Sequence, residues 1–205
     1  MPRPREFDEE AALDAATAQF WSRGYEATSV RDLAATMGLT AASLYNAFGD
    51  KRALFERALN RYVEYGFRDR VRRFEHHLPP RDAIVAFFEE IIELSVRDPH
   101  RKGCLIVNTA LELAPHDRQI HRALSGVLKE MEGFFLRCVL AGQHDGTIAA
   151  TVPAEDTAKA LLASLMGLRV LARVNPRREL LEGAARPVLA MLGADKRGSK
   201  ARPKN

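Results

Sequence analysis

Cysteine, tryptophan and long apolar runs are scarce in this chain of 205 residues. Its two cysteines, Cys104 and Cys138, lie far apart and have no metal-ligand spacing, so we expect neither a metal centre nor a disulfide framework. No apolar run approaches the roughly 18 to 20 residues of a membrane span. The first ten residues also lack the apolar core of a signal peptide. The sequence therefore predicts a cytoplasmic protein without a membrane partner.

Signatures of catalysis are missing as well. The sequence has no phosphate-cradling glycine loop, no nucleophile elbow and no HExxH or comparable metal-ligand spacing. His76 and His77 are adjacent, and His116 and His121 are five positions apart, so neither pair suits one face of a helix. We therefore expect no catalytic residue, no metal and no cofactor. An enzyme that uses an apolar cavity is the alternative class.

Glycine and proline are too few for a disordered chain, whereas hydrophobic residues make up 46% of it, which is enough for a core. The net charge of +4 suits a nucleic-acid partner. However, residues 1–50 carry no excess of basic side chains, and much of the positive charge lies in the tail 194–205. A prediction of DNA binding must therefore depend on the position of individual charges. We interpret the tail as disordered and solubilising, with a DNA-contacting arm as the alternative.

Residues 28–51 predict two short helices around a tight turn, followed by the start of a longer helix. Ser29 and Thr40 are suited to cap the two short helices, and Asp50 is suited to cap the long one. Gly38 supplies the permissive backbone where the first short helix ends. Two such helices joined by a glycine turn, with small polar residues at the start of the second, indicate a helix-turn-helix reader of DNA.

The run LAATMGLTAASLYNAFGDKRALF resembles the DNA-binding signature of the TetR/AcrR family of bacterial transcriptional regulators. The resemblance depends on a set of residues at fixed spacing: Leu33, Ala34, Gly38, Leu44, Tyr45, Phe48, Lys51 and Leu54. It implies an all-α fold of about nine helices and a homodimer. The implied domains are a three-helix DNA-binding domain at 1–50 and an effector-binding and dimerisation domain at 51–193, followed by the tail 194–205.

The resemblance also assigns contacts with double-stranded operator DNA. It assigns Arg31 to guanine or phosphate, and Tyr45 and Lys51 to phosphate. Many family members carry a histidine at the position of Ala47, so one phosphate contact is either missing here or moved to Asn46. The expected DNA-contacting residues are Thr28, Arg31, Thr40, Ala41, Ala42, Ser43, Tyr45, Asn46 and Lys51.

Helical periodicity extends over the rest of the chain. It predicts a first helix at 6–23 and, after the helix-turn-helix, helices at 50–74, 81–97, 103–114, 117–142, 153–174 and 176–192. The strongly apolar segment 103–114 is expected to be the central pillar of the second domain. In the family, the last two helices of each subunit form a four-helix dimer bundle, which is an expectation from the resemblance alone.

A small-molecule effector is implied by the same resemblance, and apolar side chains are the candidates to contact it. The full candidate set is Phe87, Phe88, Ile91, Cys104, Val107, Asn108, Leu111, Met131, Phe134, Phe135, Leu165 and Met166. Core packing is the alternative for the apolar members. Asn108 either orients a ligand or bonds to a neighbouring helix.

Cys104 suggests a second route of release. It follows two cations at a predicted helix N-terminus, where the helix dipole and the positive charges favour a thiolate that electrophiles or oxidants modify. A buried small hydrophobe is the alternative for Cys104, and Cys138 is expected to be inert. The sequence thus predicts a homodimeric repressor that leaves a palindromic operator when it binds a small, partly apolar effector or when a thiol is modified. The alternatives are an activator or an effector-independent regulator.

Overall fold

The computed structural model describes residues 7–193, and every regular element in that range is a helix. The nine helices are α1 (Glu9–Arg23), α2 (Val30–Thr36), α3 (Ala41–Phe48), α4 (Lys51–Tyr62, continued through Val63–Arg68 and Asp69–Glu75), α5 (Pro80–Arg97), α6 (Leu105–Glu112), α7 (Arg118–His144), α8 (Ala154–Val174) and α9 (Arg178–Ala190). The all-α fold class is confirmed. The tail 194–205, for which we expected disorder, lies outside the described residues.

The first short helix of the helix-turn-helix, α2, begins and ends as its sequence predicts. The Ser29 hydroxyl accepts a hydrogen bond from the Asp32 N–H at 3.1 Å, and the Asp32 carboxylate accepts one from the Ser29 N–H at 3.1 Å. This reciprocal pair is a capping box, which satisfies two N–H groups that have no partner within the helix. Gly38, at φ +66°, provides the left-handed turn that lets the chain leave α2.

The next two helices are capped in the same way. The Thr40 hydroxyl accepts a hydrogen bond from the Ser43 N–H at 3.1 Å, and the Asp50 carboxylate accepts one from the Ala53 N–H at 2.8 Å. A cap of this kind is worth about 1 kcal/mol. These caps therefore fix the residues at which α3 and α4 start.

One feature of α4 is not expected from periodicity. A π-helical turn at Val63–Arg68 interrupts the α-helical hydrogen bonding between Lys51–Tyr62 and Asp69–Glu75. A π turn adds one residue to the local winding and leaves the overall spacing of apolar residues almost unchanged. The sequence pattern therefore predicts an uninterrupted helix where the structure has this local insertion.

The described chain divides into two compact units that differ from the expected domains. The first unit contains the residues up to Asp69 together with Lys102–Ser125, and the second contains Arg70–Arg101 and the residues from Gly126 onward. Helix α6 lies in the first unit, where it packs against α1 and α4. In this division α6 is therefore part of the same unit as α1, α2 and α3, and its role as the central pillar of the domain 51–193 stays a prediction. Apolar composition predicts burial but does not specify the partner.

The core of the first unit is built on aromatic contacts between α1, the loop after it and α4. The Phe20 ring lies 5.0 Å from the Phe55 ring, and the Tyr25 ring lies 4.9 Å from Phe55. Leu33 from α2 and Leu44 from α3 are also fully buried. Complete burial of each such side chain contributes about 1.5–3 kcal/mol, so this core holds the helix-turn-helix as one body.

In the second unit, α5, α8 and α9 pack together. The phenylalanines Phe87, Phe88, Phe134 and Phe135 are buried, and their ring centroids lie 5.2–6.0 Å apart in the contacting pairs. No helix within residues 7–193 combines the length and the hydropathy that would let it cross a membrane.

Candidate nucleic-acid interface

The N-terminal part of α3 presents small side chains to solvent. Ala41, Ala42 and Asn46 are exposed, and the Tyr45 side chain is 51% exposed. The opposite face of the helix is buried through Leu44 and Phe48. A helix anchored on one face, with small residues at the start of the other, can enter a DNA major groove without steric obstruction.

The hydroxyl groups at the start of α3 bond to each other. The oxygens of Thr40 and Ser43 lie 2.9 Å apart, and the Thr40 oxygen also accepts the Ser43 N–H. Both side chains therefore stabilise the first turn of α3. A DNA phosphate or base edge that contacts either hydroxyl would form a further hydrogen bond beside this pair.

The Arg31 side chain is exposed in the first turn of α2. Its neighbour Asp32 is committed to the capping box, and the hydrogen bond from the Ser29 hydroxyl is the main reason that the pKa of Asp32 lies below its ordinary value. The charges of Arg23 and Arg31 lower this pKa further. Arg31 is thus a cation at the surface beside a helix start that is well fixed.

Lys51 lies at the first turn of α4, and its ammonium nitrogen is 4.2 Å from the centroid of the Tyr25 ring. This is a cation–π contact, which orients a lysine side chain that would otherwise sample many rotamers. Burial raises the pKa of Tyr25, so the ring stays a neutral phenol near neutral pH. The family resemblance implies a phosphate contact for Lys51 but gives no indication that Tyr25 holds it.

Two carboxylates bind the residues around Lys51, Glu112 at the end of α6 and Asp117 just before α7, and sequence reasoning missed both. Glu112 accepts hydrogen bonds from the Tyr25 N–H at 3.1 Å and the Glu26 N–H at 2.8 Å. Asp117 forms a two-pronged ion pair with Arg52, with one N–O distance of 2.9 Å. The Arg52 guanidinium holds the pKa of Asp117 well below its usual range.

Thr28 is not at the surface. Its side chain is fully buried, and its hydroxyl donates a hydrogen bond to the Gly24 carbonyl at 2.6 Å. The expectation of a DNA contact for the Thr28 side chain therefore needs correction, because that side chain closes the loop between α1 and α2. A threonine just before a helix start is equally typical of both roles, so its position alone does not separate them.

The effector candidates divide between the two units. Cys104, Val107, Asn108 and Leu111 belong to the first unit, whereas the other eight candidates belong to the second. The Asn108 amide donates a hydrogen bond to the Lys102 carbonyl at 3.0 Å, which was neither of the partners we considered. Leu111 is 74% exposed, so its side chain does not line the interior of the first unit.

The candidates of the second unit include the four clustered phenylalanines, which are buried against one another. Ile91, Met131 and Leu165 are buried as well, whereas Met166 is partly exposed. These side chains are packed as core residues, and a role in effector binding stays a prediction for each of them.

The cysteines differ in their surroundings. Cys104 is buried and occupies the N-cap position of α6. Burial raises the pKa of Cys138 to about 12, so this thiol stays protonated and unreactive near neutral pH. Among residues 7–193, the structure brings together no group of three His, Cys, Asp or Glu side chains that could hold a metal ion.

Comparison with known protein families gives two matches that together span most of the chain. Residues 12–58 match the family described as bacterial regulatory proteins of the tetR family. Residues 80–188 match the tetracyclin repressor-like C-terminal domain. The first match contains the helix-turn-helix, and the second begins where α5 begins.

Individual relatives agree with these matches. YezE of Bacillus subtilis, described as an uncharacterised HTH-type transcriptional regulator, is 33% identical over 188 residues, which cover 89% of this chain and 94% of YezE. ComR of Escherichia coli, described as an HTH-type transcriptional repressor, is 29% identical over 87% of this chain and 86% of ComR. A cysteine mutant of the TetR family regulator CifR, solved in complex with operator DNA, has a TM-score of 0.83 at 32% identity and covers 93% of this chain and all of that one. This chain therefore belongs to the TetR family of bacterial regulatory proteins.

Proposed function

We propose that this protein is a homodimeric transcriptional repressor that binds a palindromic DNA operator and leaves it when a small effector binds. The observation that carries the proposal is the exposed N-terminal face of α3, backed by the buried Leu44 and Phe48. Support also comes from the relatives, since ComR is described as a repressor and the CifR mutant was solved with double-stranded operator DNA. Because operator DNA is its partner, we expect the protein to act in the cytoplasm.

The proposed contacts with DNA divide into two kinds. Arg31 is suited to a base edge or a phosphate, because its guanidinium can donate two parallel hydrogen bonds. Tyr45 and Lys51 are suited to phosphates on either side of the groove that α3 enters, and Asn46 is exposed on the same helix. Phosphate contacts fix the register, while Arg31 and the first residues of α3 supply sequence preference.

The proposed dimer uses α8. Ala163, Gly167, Val170 and Val174 are exposed on one face of that helix at spacings of four, three and four residues, and Val174 is 72% exposed. A continuous apolar stripe on a helix is typical of a protein interface. Two copies joined through α8 and α9 would present two α3 helices to successive major grooves, roughly 34 to 36 Å apart.

Release from DNA requires an effector that binds the DNA-incompetent state more tightly than the DNA-bound state. A coupling free energy of about 1–3 kcal/mol changes operator affinity roughly 5- to 150-fold, which is sufficient for a switch. The apolar and aromatic character of the candidate residues favours an effector that is partly apolar.

Modification of Cys104 is the second candidate for the release signal. The Trp21 indole donates a hydrogen bond to the Gly103 carbonyl at 3.2 Å, so the residue before Cys104 is attached to α1. An adduct on the Cys104 sulfur would need space at a buried N-cap and would disturb this attachment. We expect an electrophile such as N-ethylmaleimide to release DNA from the wild type but not from Cys104→Ser.

Cys138→Ser is the matched control, because the Cys138 thiol stays protonated and should not react. Its DNA release should equal that of the wild type. Full release from Cys104→Ser would rule out the thiol mechanism and leave a non-covalent effector as the signal.

Gel-shift assays with genomic fragments, followed by a reporter assay with and without the regulator, test the proposal as a whole. We expect a retarded fragment that carries a palindrome and higher reporter output when the regulator is deleted. Lower output on deletion would make the protein an activator. A protein that retards no fragment at low ionic strength would return attention to the enzyme alternative.

A further inference from the structure

We propose that Glu112 and Asp117 are positioning residues for DNA binding, which hold Lys51 in the orientation that meets a phosphate. The inference rests on the proposed function, because it assigns Lys51 to the DNA backbone. It concerns only residues of the first unit and follows from two contacts. Glu112 binds the loop that carries Tyr25, and Asp117 binds Arg52 in the first turn of α4.

The first contact acts through Tyr25. Both carboxylate oxygens of Glu112 are used, one by the Tyr25 N–H and the other by the Glu26 N–H. The Tyr25 ring in turn packs on Phe20 and Phe55, and Lys51 lies against it. Loss of the Glu112 carboxylate would free the backbone that sets the angle of this ring, and the orientation of the lysine would change with it.

Two local features indicate that Glu112 and the loop after α1 are fitted to each other. Glu112 is the last residue of α6, where the negative end of the helix dipole disfavours a carboxylate. Gly24 has φ +85°, and a Cβ atom added there would lie 2.8 Å from a Glu112 carboxylate oxygen. The loop after α1 thus approaches Glu112 closely, at a position where only glycine fits without strain.

The second contact acts through Arg52, the neighbour of Lys51. Asp117 pairs with both terminal nitrogens of Arg52, and Arg52 also donates to Glu56 at 2.8 Å. The same Asp117 carboxylate accepts the N–H groups of Gln119 and Ile120, which start α7. The start of α7 and the first turn of α4 are therefore joined at one carboxylate.

Charge makes the proposal testable. Removing a carboxylate makes the protein more positive, which by itself strengthens attraction to DNA. If these carboxylates position Lys51, their removal should instead weaken DNA binding. We expect Glu112→Gln to weaken binding roughly 2- to 30-fold, the range for residues that couple two sites. We also expect it to lower the slope of log affinity against log salt by up to about one unit per subunit, the share of one phosphate contact.

The experiment uses the full-length protein and a duplex that the wild type selects from a random-sequence library. Fluorescence anisotropy gives affinity across a salt series for the wild type, Glu112→Gln, Lys51→Ala and the double variant. In the Lys51→Ala background, Glu112→Gln should change affinity by less than about twofold, because the contact that it positions is already gone. Glu89→Gln is the control, since Glu89 is exposed on α5 and carries the same charge.

Asp117→Asn provides an independent variant if Glu112→Gln does not fold. Asparagine still caps a helix but cannot form the ion pair with Arg52, so weaker binding with a lower salt slope is again expected. Unchanged or tighter binding in the folded variants, or an equal loss with and without Lys51, would overturn the positioning role and leave the proposed function intact. A wild type that selects no duplex would overturn both.

Discussion

Replacing Gly167 with arginine is expected to yield a monomer that binds the operator roughly 100- to 10,000-fold more weakly than the wild type. That range is the gain in affinity that two linked binding modules have over one, and a monomer loses this gain. Gly167 lies at the centre of the exposed stripe on α8, where the proposed dimer brings two helices into close approach. A long, charged side chain at that point would separate the helices and would bury a charge without a partner.

The substitution should leave the fold of the single chain intact. A Cβ atom at Gly167 meets no atom of the chain within 4 Å, and arginine favours a helix more than glycine does by about 1 kcal/mol. Gly126→Arg on α7 is the matched control, because Gly126 is also exposed in a helix and its Cβ position is equally open. Sedimentation and operator binding are measured for both variants. A dimeric Gly167→Arg protein with full affinity would contradict the proposed interface.

Arg31→Ala is expected to cost about 1–3 kcal/mol of operator binding and to relax sequence preference at one position in each half-site. The reason is the geometry of the guanidinium, which can donate two parallel hydrogen bonds to guanine. Arg31 is exposed at the start of α2, and the capping box behind it fixes the helix from which it extends. Competition with single-base operator variants measures the change in preference.

Arg177→Ala removes the same charge from an exposed arginine just before α9 and serves as the control. Its operator affinity and preference should match those of the wild type. If Arg31→Ala lowers affinity equally for every sequence, Arg31 binds a phosphate rather than a base. If it changes neither affinity nor preference, Arg31 does not contact the operator.

The helix-turn-helix could be predicted closely from the sequence because its signals are local. Ser29, Gly38, Thr40 and Asp50 each act on the backbone within a few residues, so their side chains specify the helix boundaries without knowledge of the rest of the fold. Periodicity likewise predicts the later helices to within a few residues, as at Ala154–Val174.

The contacts that support the site could not be predicted in this way, because they join residues far apart in the chain. Glu112 binds the loop after α1 from 86 and 87 positions away, and Asp117 binds Arg52 from 65 positions away. No local pattern distinguishes these carboxylates from solvated ones. The same limitation applies to α6, because no local pattern indicates that it packs against α1 and α4.

Thr28 shows a different limit. A hydroxyl before a helix start can bond to DNA, to the helix or to the preceding loop, and only the fold shows that Thr28 bonds to the Gly24 carbonyl. Side chains whose role depends on which surface is buried therefore need the structure. Residues such as Tyr45, which are exposed beside a fully buried neighbour, are the ones for which helical phase alone gives the right face.

The most direct test of the central claim is the salt dependence of binding between the purified protein and an operator duplex, compared for the wild type and Lys51→Ala. We predict that the wild type is a dimer whose affinity for the duplex falls steeply with salt concentration. Lys51→Ala should lower this slope by about one unit per subunit and weaken binding to all sequences alike. A monomeric protein that binds no duplex at low ionic strength would contradict the account.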